Sequence, residues 1–224
     1  MRAWRSTRAW IVFGLAISLF LVLDLGTKFA AFEHVADRPV TIDRSAVLAT
    51  PPGELIRLLP PHDPVVVVPG VLELKLVLNA GAVFGAGQGR RTLFIGFTIL
   101  ALLVATALFA RWTSATDTIS HVGLGLIVSG GLGNLYDRIR FACVRDFLHP
   151  LPTAHLPFGL TWPSGDSAIW PYVSNVADAV LLVGIGLLLI RVWRSEHHHQ
   201  VQNESVETSV TPQPGSIQNS VNDG

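Results

Sequence analysis

The sequence predicts an all-α membrane protein of four transmembrane helices, with a small extracytoplasmic β-rich region drawn from the first outer loop. Three observations lead there. Half of the 224 residues are hydrophobic, only 14% are charged, and the mean hydropathy is +0.46, more apolar than a water-soluble domain tolerates. Four long apolar stretches divide the chain. The buried-type charges and amides collect beside the ends of those stretches instead of scattering along them. Zero formal net charge gives no electrostatic footprint for nucleic acid. The single cysteine, Cys143, excludes an intrachain disulfide and a cysteine-rich metal site.

The first apolar stretch, 9–23, is shorter than the roughly 20 residues a span requires. Its helix is therefore expected to continue through Asp24 and Lys28 to about residue 31. Those two side chains are spaced i,i+4 with the acid first, the order that lets them pair on one helical face. The second span, 92–110, is unbroken, and the third, 119–136, is interrupted only by His121 and Asn134. The fourth has an uncharged core at 179–190. Extending it to 175–193 gives it spanning length and draws Asp178 into its first turn. Arg2, Arg5 and Arg8 also resemble the basic start of a cleavable signal peptide. No small-residue cleavage pattern follows, however, and three further spans do, so the first helix is expected to be retained.

Four spans put both termini on one side. Arg2, Arg5, Arg8, Arg111, Arg191 and Arg194 place that side in the cytoplasm by the positive-inside rule, with Arg90 and Arg91 as the exception. The outer loops are then about 32–91 and 139–174. Within the first, 37–64 is rich in proline and charge and reads as an irregular insertion, whereas 65–78 alternates and reads as strands. The membrane domain is bounded at 1–195. The polar remainder, 196–224, is expected to be a disordered cytoplasmic tail, and its His197, His198 and His199 a solvated tract.

An ionisable group beside a span is costly and is a functional candidate by default. Asp24, Lys28, Asn79, Asn134, Asp137, Arg138, Asp146, Asn175 and Asp178 all fall at or near the outer ends of the helices. Each has a structural explanation. Asn175 and Asp178 fit a capping box with the acid near the positive helix end. Arg145 is placed to neutralise Asp146. Asp137 and Arg138 can end the third helix as an ion pair, and Gly130, Gly131 and Gly133 can serve close helix packing. No Gly-Lys-Ser/Thr follows those glycines, so they form no phosphate loop. His121, His149 and His155 lack ligand-like spacing, and no metal is expected.

Taken together the motifs resemble the lipoprotein signal peptidase (signal peptidase II) family over about 23–193. Five blocks carry the resemblance in the family's order. They are Asp24-Leu25-Gly26-Thr27-Lys28, then Asn79-Ala80-Gly81-Ala82-Val83-Phe84-Gly85, then Gly130-Gly131-Leu132-Gly133-Asn134-Leu135-Tyr136-Asp137-Arg138. Val144-Arg145-Asp146-Phe147 and Asn175-Val176-Ala177-Asp178-Ala179 complete the set. The resemblance implies a catalytic pair, Asp146 and Asp178, in an aspartyl endopeptidase of the bacterial inner membrane. It further implies that Asn79, Gly81, Asn134, Asp137, Arg138 and Asn175 line the site, and that Asp24 and Lys28 support it. The implied substrate is a diacylglyceryl-modified prolipoprotein, cut before its lipidated cysteine among membrane lipids. No cofactor and no nucleic-acid partner is implied, and a monomer is expected. Ser174 stands where the family often has Phe, Ala142 where Gly is common, and the 37–64 insertion and the tail are long. The rival from another class is a non-catalytic four-helix protein such as a proton-coupled carrier, though no internal repeat supports it.

Overall fold

The computed structural model describes residues 2–81, 91–162 and 165–210, with side chains described as far as residue 194. Chain entry into the first helix, α1 (Thr7–His34), is fixed by Ser6, whose hydroxyl accepts from the Ala9 N–H. Along α1, Leu15, Leu19, Val22 and Phe29 face outward while Ala9, Phe13, Ala16, Asp24, Lys28 and Ala31 face inward. That reversal, apolar outside and partly charged inside, suits a helix surrounded by lipid. Helix α3 (Arg91–Trp112) exposes Phe97, Leu100 and Leu103 in the same way. Helix α4 (Thr118–Arg140) is capped by Asp117, whose carboxylate accepts from Ser120 N–H and Oγ. Helix α5 runs Val176–Val210. Among the described residues, four helices are long and apolar enough to cross a membrane: Thr7–His34, Arg91–Trp112, Thr118–Arg140 and Val176–Arg194. They match the four expected spans, and the chain is a multi-pass membrane protein.

Glycines make α4 the hub of the bundle. A Cβ on Gly125 would lie 2.8 Å from Ala16 of α1, one on Gly131 2.9 Å from Leu102 of α3, and one on Gly130 2.5 Å from the Ala177 carbonyl of α5. The backbones of α1 and α5 and the Leu102 side chain of α3 approach one helix that closely only because these positions carry no side chain. At one end of the bundle, Arg2 donates to the Arg111 carbonyl and Ala3 N–H to the Thr113 carbonyl. At the opposite end lie the last turns of α1 and α4, the first turn of α5 and a three-stranded antiparallel sheet, as the contacts described below show.

The sheet has the order β1-β2-β3, with β1 at Val65–Val68, β2 at Leu72–Asn79 and β3 at Val144–Pro150. The two strands expected from 65–78 are present. The third, which carries Asp146, comes from the 139–174 loop and not from the first; its adjacent Arg145 and Asp146 break the alternation that marks a strand in sequence. Beneath the sheet, Leu76, Leu78 and Phe147 pack with Phe32 of α1, with its C-cap Val35, and with Val47, Leu55 and Leu59. Those last three belong to the 37–64 insertion. The insertion is not irregular throughout: it forms a short helix, α2 (Arg44–Ala49), and a 3-10 turn, Pro52–Leu58. Asp43 caps α2 through the Ser45 N–H, and Arg44 donates to the Ile139 carbonyl near the end of α4. Ala142, between α4 and β3, has φ 64°, the left-handed region that favours glycine. The backbone turn there is the reason a glycine suits this position.

The chain divides into two units, 1–188 and 189–224. The first contains everything described above except the remainder of α5. In the second, the helix continues through the polar 196–210 segment expected to be disordered. Extending an existing helix fixes one residue per added hydrogen bond and needs no new nucleus. Residues 211–224 lie outside those described, as do 82–90, which include Ala82, Val83, Phe84 and Gly85 of the second motif block and Arg90 of the topology exception.

Candidate active site

The site is assembled from the first turn of α5 outward. Asn175 is the N-cap: its Oδ1 accepts from the Asp178 N–H at 3.2 Å, and its own N–H donates to Asp178 Oδ2 at 3.2 Å. This is the expected capping box, with an aspartate at N3. The capping reading and the functional one are not rivals, because the Asn175 side chain has a second end. Its Nδ2 donates to Asp146 Oδ1 at 2.6 Å. One asparagine thus bridges the two carboxylates. Asp146 Oδ2 accepts from Asn79 Nδ2 at 3.0 Å, and Asp178 Oδ1 from Asn134 Nδ2 at 2.9 Å. Three amides hold the two acids, and the five residues come from four segments: β2, α4, β3 and the start of α5.

Behind them stands a buried charge network. Lys28 Nζ lies 2.9 Å from Asp24 Oδ2, 3.5 Å from Asp137 Oδ2, and donates to Asn134 Oδ1 at 3.0 Å. An ammonium only donates, so Lys28 fixes which end of the Asn134 amide faces it and leaves the NH₂ for Asp178. Asp24 Oδ1 accepts from the Ala177 N–H at 2.8 Å, satisfying a free donor of α5 and tying α1 to it. Asp137 takes a fork from Arg145: Nε at 3.1 Å and Nη2 at 2.9 Å to Oδ1, with the Arg145 backbone N–H at 3.0 Å to Oδ2.

Two pairings considered from sequence are corrected by this. Arg145 does not neutralise its neighbour Asp146, because adjacent strand residues point to opposite faces; its partner is Asp137. Asp137 and Arg138 do not pair with one another, because successive helical positions diverge by about 100°. Arg138 instead donates to the Asn134 carbonyl at 3.3 Å and the Gly81 carbonyl at 3.2 Å, while the Gly81 N–H donates to Asn79 Oδ1 at 2.9 Å. Every site residue named from the sequence therefore belongs to one assembly of hydrogen bonds and ion pairs. Sequence reasoning missed the Ala177 N–H and the role of Arg145, neither of which has a local signal.

The two acids differ in setting. Asp146 is 1% exposed and Asp178 is half-buried. Burial pushes the Asp146 carboxyl up to about 7, the nearby Asp178 charge adds to the rise, and the hydrogen bonds from Asn175 and Asn79 hold it back. Cys143 is buried too, and burial pushes its thiol up to about 12, so it offers no thiolate nucleophile. The three histidines weighed as metal ligands stand apart from the site: His121 meets the Ser114 carbonyl, His155 the Thr153 carbonyl, and His149 lies 3.7 Å from Glu73. No group of His, Cys, Asp or Glu among the described residues is arranged to hold a metal ion.

Fold and site together describe a multi-pass membrane protein with paired carboxylates at one end of its helices. The family model for signal peptidase (SPase) II matches residues 16–194. A lipoprotein signal peptidase of Streptococcus pyogenes serotype M1 is 36% identical over 188 residues, covering 84% of this chain and 96% of that protein. The lipoprotein signal peptidase of Geobacter metallireducens is 30% identical over 195 residues, covering 86% and 96%. A bacterial membrane enzyme solved by the in meso method shares the fold, with a TM-score of 0.55 at 20% identity over 92% of this chain and 94% of that one. The chain belongs to the signal peptidase II family and is a protease.

Proposed function

We propose that this protein is an aspartyl endopeptidase that removes signal peptides from diacylglyceryl-modified prolipoproteins, cutting before the lipidated cysteine, with Asp146 and Asp178 as its catalytic pair. The observation that carries the reading is the Asn175 bridge, which ties one carboxylate to the other at the helix end. Relatives named lipoprotein signal peptidase support the substrate. The charges support the protonation state. Three buried or half-buried cations, Lys28, Arg138 and Arg145, stand among four carboxylates, Asp24, Asp137, Asp146 and Asp178. One proton shared by Asp146 and Asp178 balances the set.

With that proton, the ionised partner takes a proton from water as the water attacks the scissile carbonyl. The protonated partner donates to the carbonyl oxygen, and the leaving amine then collects a proton from the pair. Base and acid belong to the pair and not to one residue. Asn79 and Asn175 are occupied in holding Asp146, so they orient the carboxylates before they serve any developing oxyanion. The enzyme sits in the bacterial inner membrane as a monomer, both termini cytoplasmic and the site at the outer face.

Asp146→Asn and Asp178→Asn should each abolish cleavage of a lipidated prolipoprotein by purified protein, with the thermal transition and membrane insertion retained. Near-normal turnover by either variant would remove the dyad assignment.

A further inference from the structure

One irregularity in the sheet decides where Asn79 points. Strands β2 and β3 pair as Leu74↔Leu148 and then as Val77↔Asp146. Lys75 and Leu76 therefore stand against the single residue Phe147, a one-residue bulge. Had the first register continued, Leu76 would oppose Asp146 and Leu78 would oppose Val144. Asn79 would then lie on the face opposite Asp146. With the bulge, Val77 opposes Asp146, Asn79 opposes Val144, and Asn79 reaches Asp146 Oδ2 at 3.0 Å.

A bulge takes a backbone group out of the ladder, and a buried N–H left without an acceptor is costly. Leu76 is fully buried, and its N–H donates to His62 Nε2 at 3.0 Å. Strand β1 does not supply that acceptor, because its pairing with β2 extends no further than Val65↔Leu74. The imidazole takes over where β1 stops. Its Nδ1 lies 3.0 Å from the Pro60 carbonyl, which only accepts, so Nδ1 carries the proton and Nε2 is left as the acceptor. Two hydrogen bonds thus set one tautomer and aim it at the bulge. His62 belongs to the 37–64 insertion, whose Val47, Leu55 and Leu59 pack in the same core as Leu76 and Leu78.

We propose that His62 is a positioning residue for the active site: it holds the bulge of β2 and so fixes Asn79 against Asp146, which gives the inserted loop a task in catalysis. The proposal rests on the reading of Asp146 as catalytic. The test uses purified full-length protein, a lipidated prolipoprotein peptide, and hydrogen exchange across 72–79, for His62→Ala, His62→Gln and Asp146→Asn. His62→Ala should lose about tenfold or more in kcat, since misplacing a positioned group acts on rate. Its KM should stay within about twofold, because ground-state binding is not what is lost. Exchange across 72–79 should quicken. His62→Gln, whose amide oxygen can accept from Leu76, should keep most of the rate and the protection.

If His62→Ala accumulates poorly, His62→Leu, similar in bulk but without an acceptor, is compared with His62→Gln in its place. Full kcat in His62→Ala beside an inactive Asp146→Asn overturns this proposal alone. So does a His62→Gln as slow as the alanine variant, or a loss confined to KM. An active Asp146→Asn removes the dyad reading, and this proposal with it.

Discussion

Asparagine is the residue on which the site turns. Asn79, Asn134 and Asn175 each present an NH₂ to a carboxylate, and each has its oxygen held elsewhere: by the Gly81 N–H, by Lys28 and by the Asp178 N–H. An amide fixed at both ends cannot flip, so the carboxylates meet donors in a set geometry. This has a consequence for pH. Activity requires one shared proton, and it should fall as pH rises through about 7, where the buried Asp146 carboxyl gives its proton up. Asn79→Ala removes a hydrogen bond that favours the charged form, so the alkaline limb should move to higher pH even as the rate drops. A limb that stayed put or moved down would show that Asn79 does not set this titration. The same raised carboxyl bears on stability. Between 3.8 and about 7 the folded chain holds a proton that the unfolded chain has released, so stability attributable to Asp146 falls as pH rises across that window. At this scale the sequence was informative about identity and poor about pairing. The five motif blocks named every acid and amide of the site. They could not say that Arg145 serves Asp137 rather than Asp146, because that depends on which face of a strand each occupies.

Helix α4 shows how an element positions the chemistry. Its glycines admit three neighbours, and Gly133 does more than allow packing. A Cβ there would collide with Asp24 Oδ2, the oxygen paired with Lys28. Gly133→Ala must therefore push the Asp24 carboxylate off Lys28 and off the Ala177 N–H. Breaking one partner from a buried ion pair costs about 3 kcal/mol or more. Thermal unfolding in detergent should show a clear loss, with turnover falling alongside. Gly26, on α1, has nothing within 4 Å of a built Cβ, so Gly26→Ala should be neutral or stabilising by up to about 1 kcal/mol. Equal effects of the two substitutions would mean that Gly133 is a packing glycine only. The four spans were legible because twenty or so apolar residues have few other uses. Strand β3 and helix α2 were not, because their residues are chosen by tertiary neighbours: Val144 and Phe147 by the core, Arg145 by Asp137, Asp146 by the site. The bulge of β2 lies further still from sequence, since register depends on both strands at once.

At the scale of the bundle, the described contacts separate two ends: the Arg2–Arg111 contact and the short α3–α4 connection at one, the sheet and every site residue at the other. The polar segment beyond residue 195 carries none of the site residues read from the sequence, so a chain ending at Ser195 should keep its activity in membranes. Lost activity at unchanged expression would assign that segment a role. The placement of the site at helix ends also bears on how substrate arrives. A diacylated substrate is expected to approach sideways through the bilayer, its chains among the helices and its peptide across the sheet. Transfer of acyl chains from water is worth about 0.8 kcal/mol per CH₂, but a substrate already in the membrane has made that transfer before it meets the enzyme. The lipid then gains little on binding and acts mainly by setting the depth of the scissile bond. That depth has to match the first turn of α5, where Asp178 is held by Asn175 and Asn134. Correct placement of reacting groups appears in the rate more than in ground-state affinity. An unlipidated precursor of the same peptide sequence, held in the same membrane at saturating density, should therefore show a kcat far below that of the diacylated form with a comparable half-saturation. If the two were cut equally fast, depth would be set by the peptide alone, and the protein would be a general membrane aspartyl protease with no requirement for lipid.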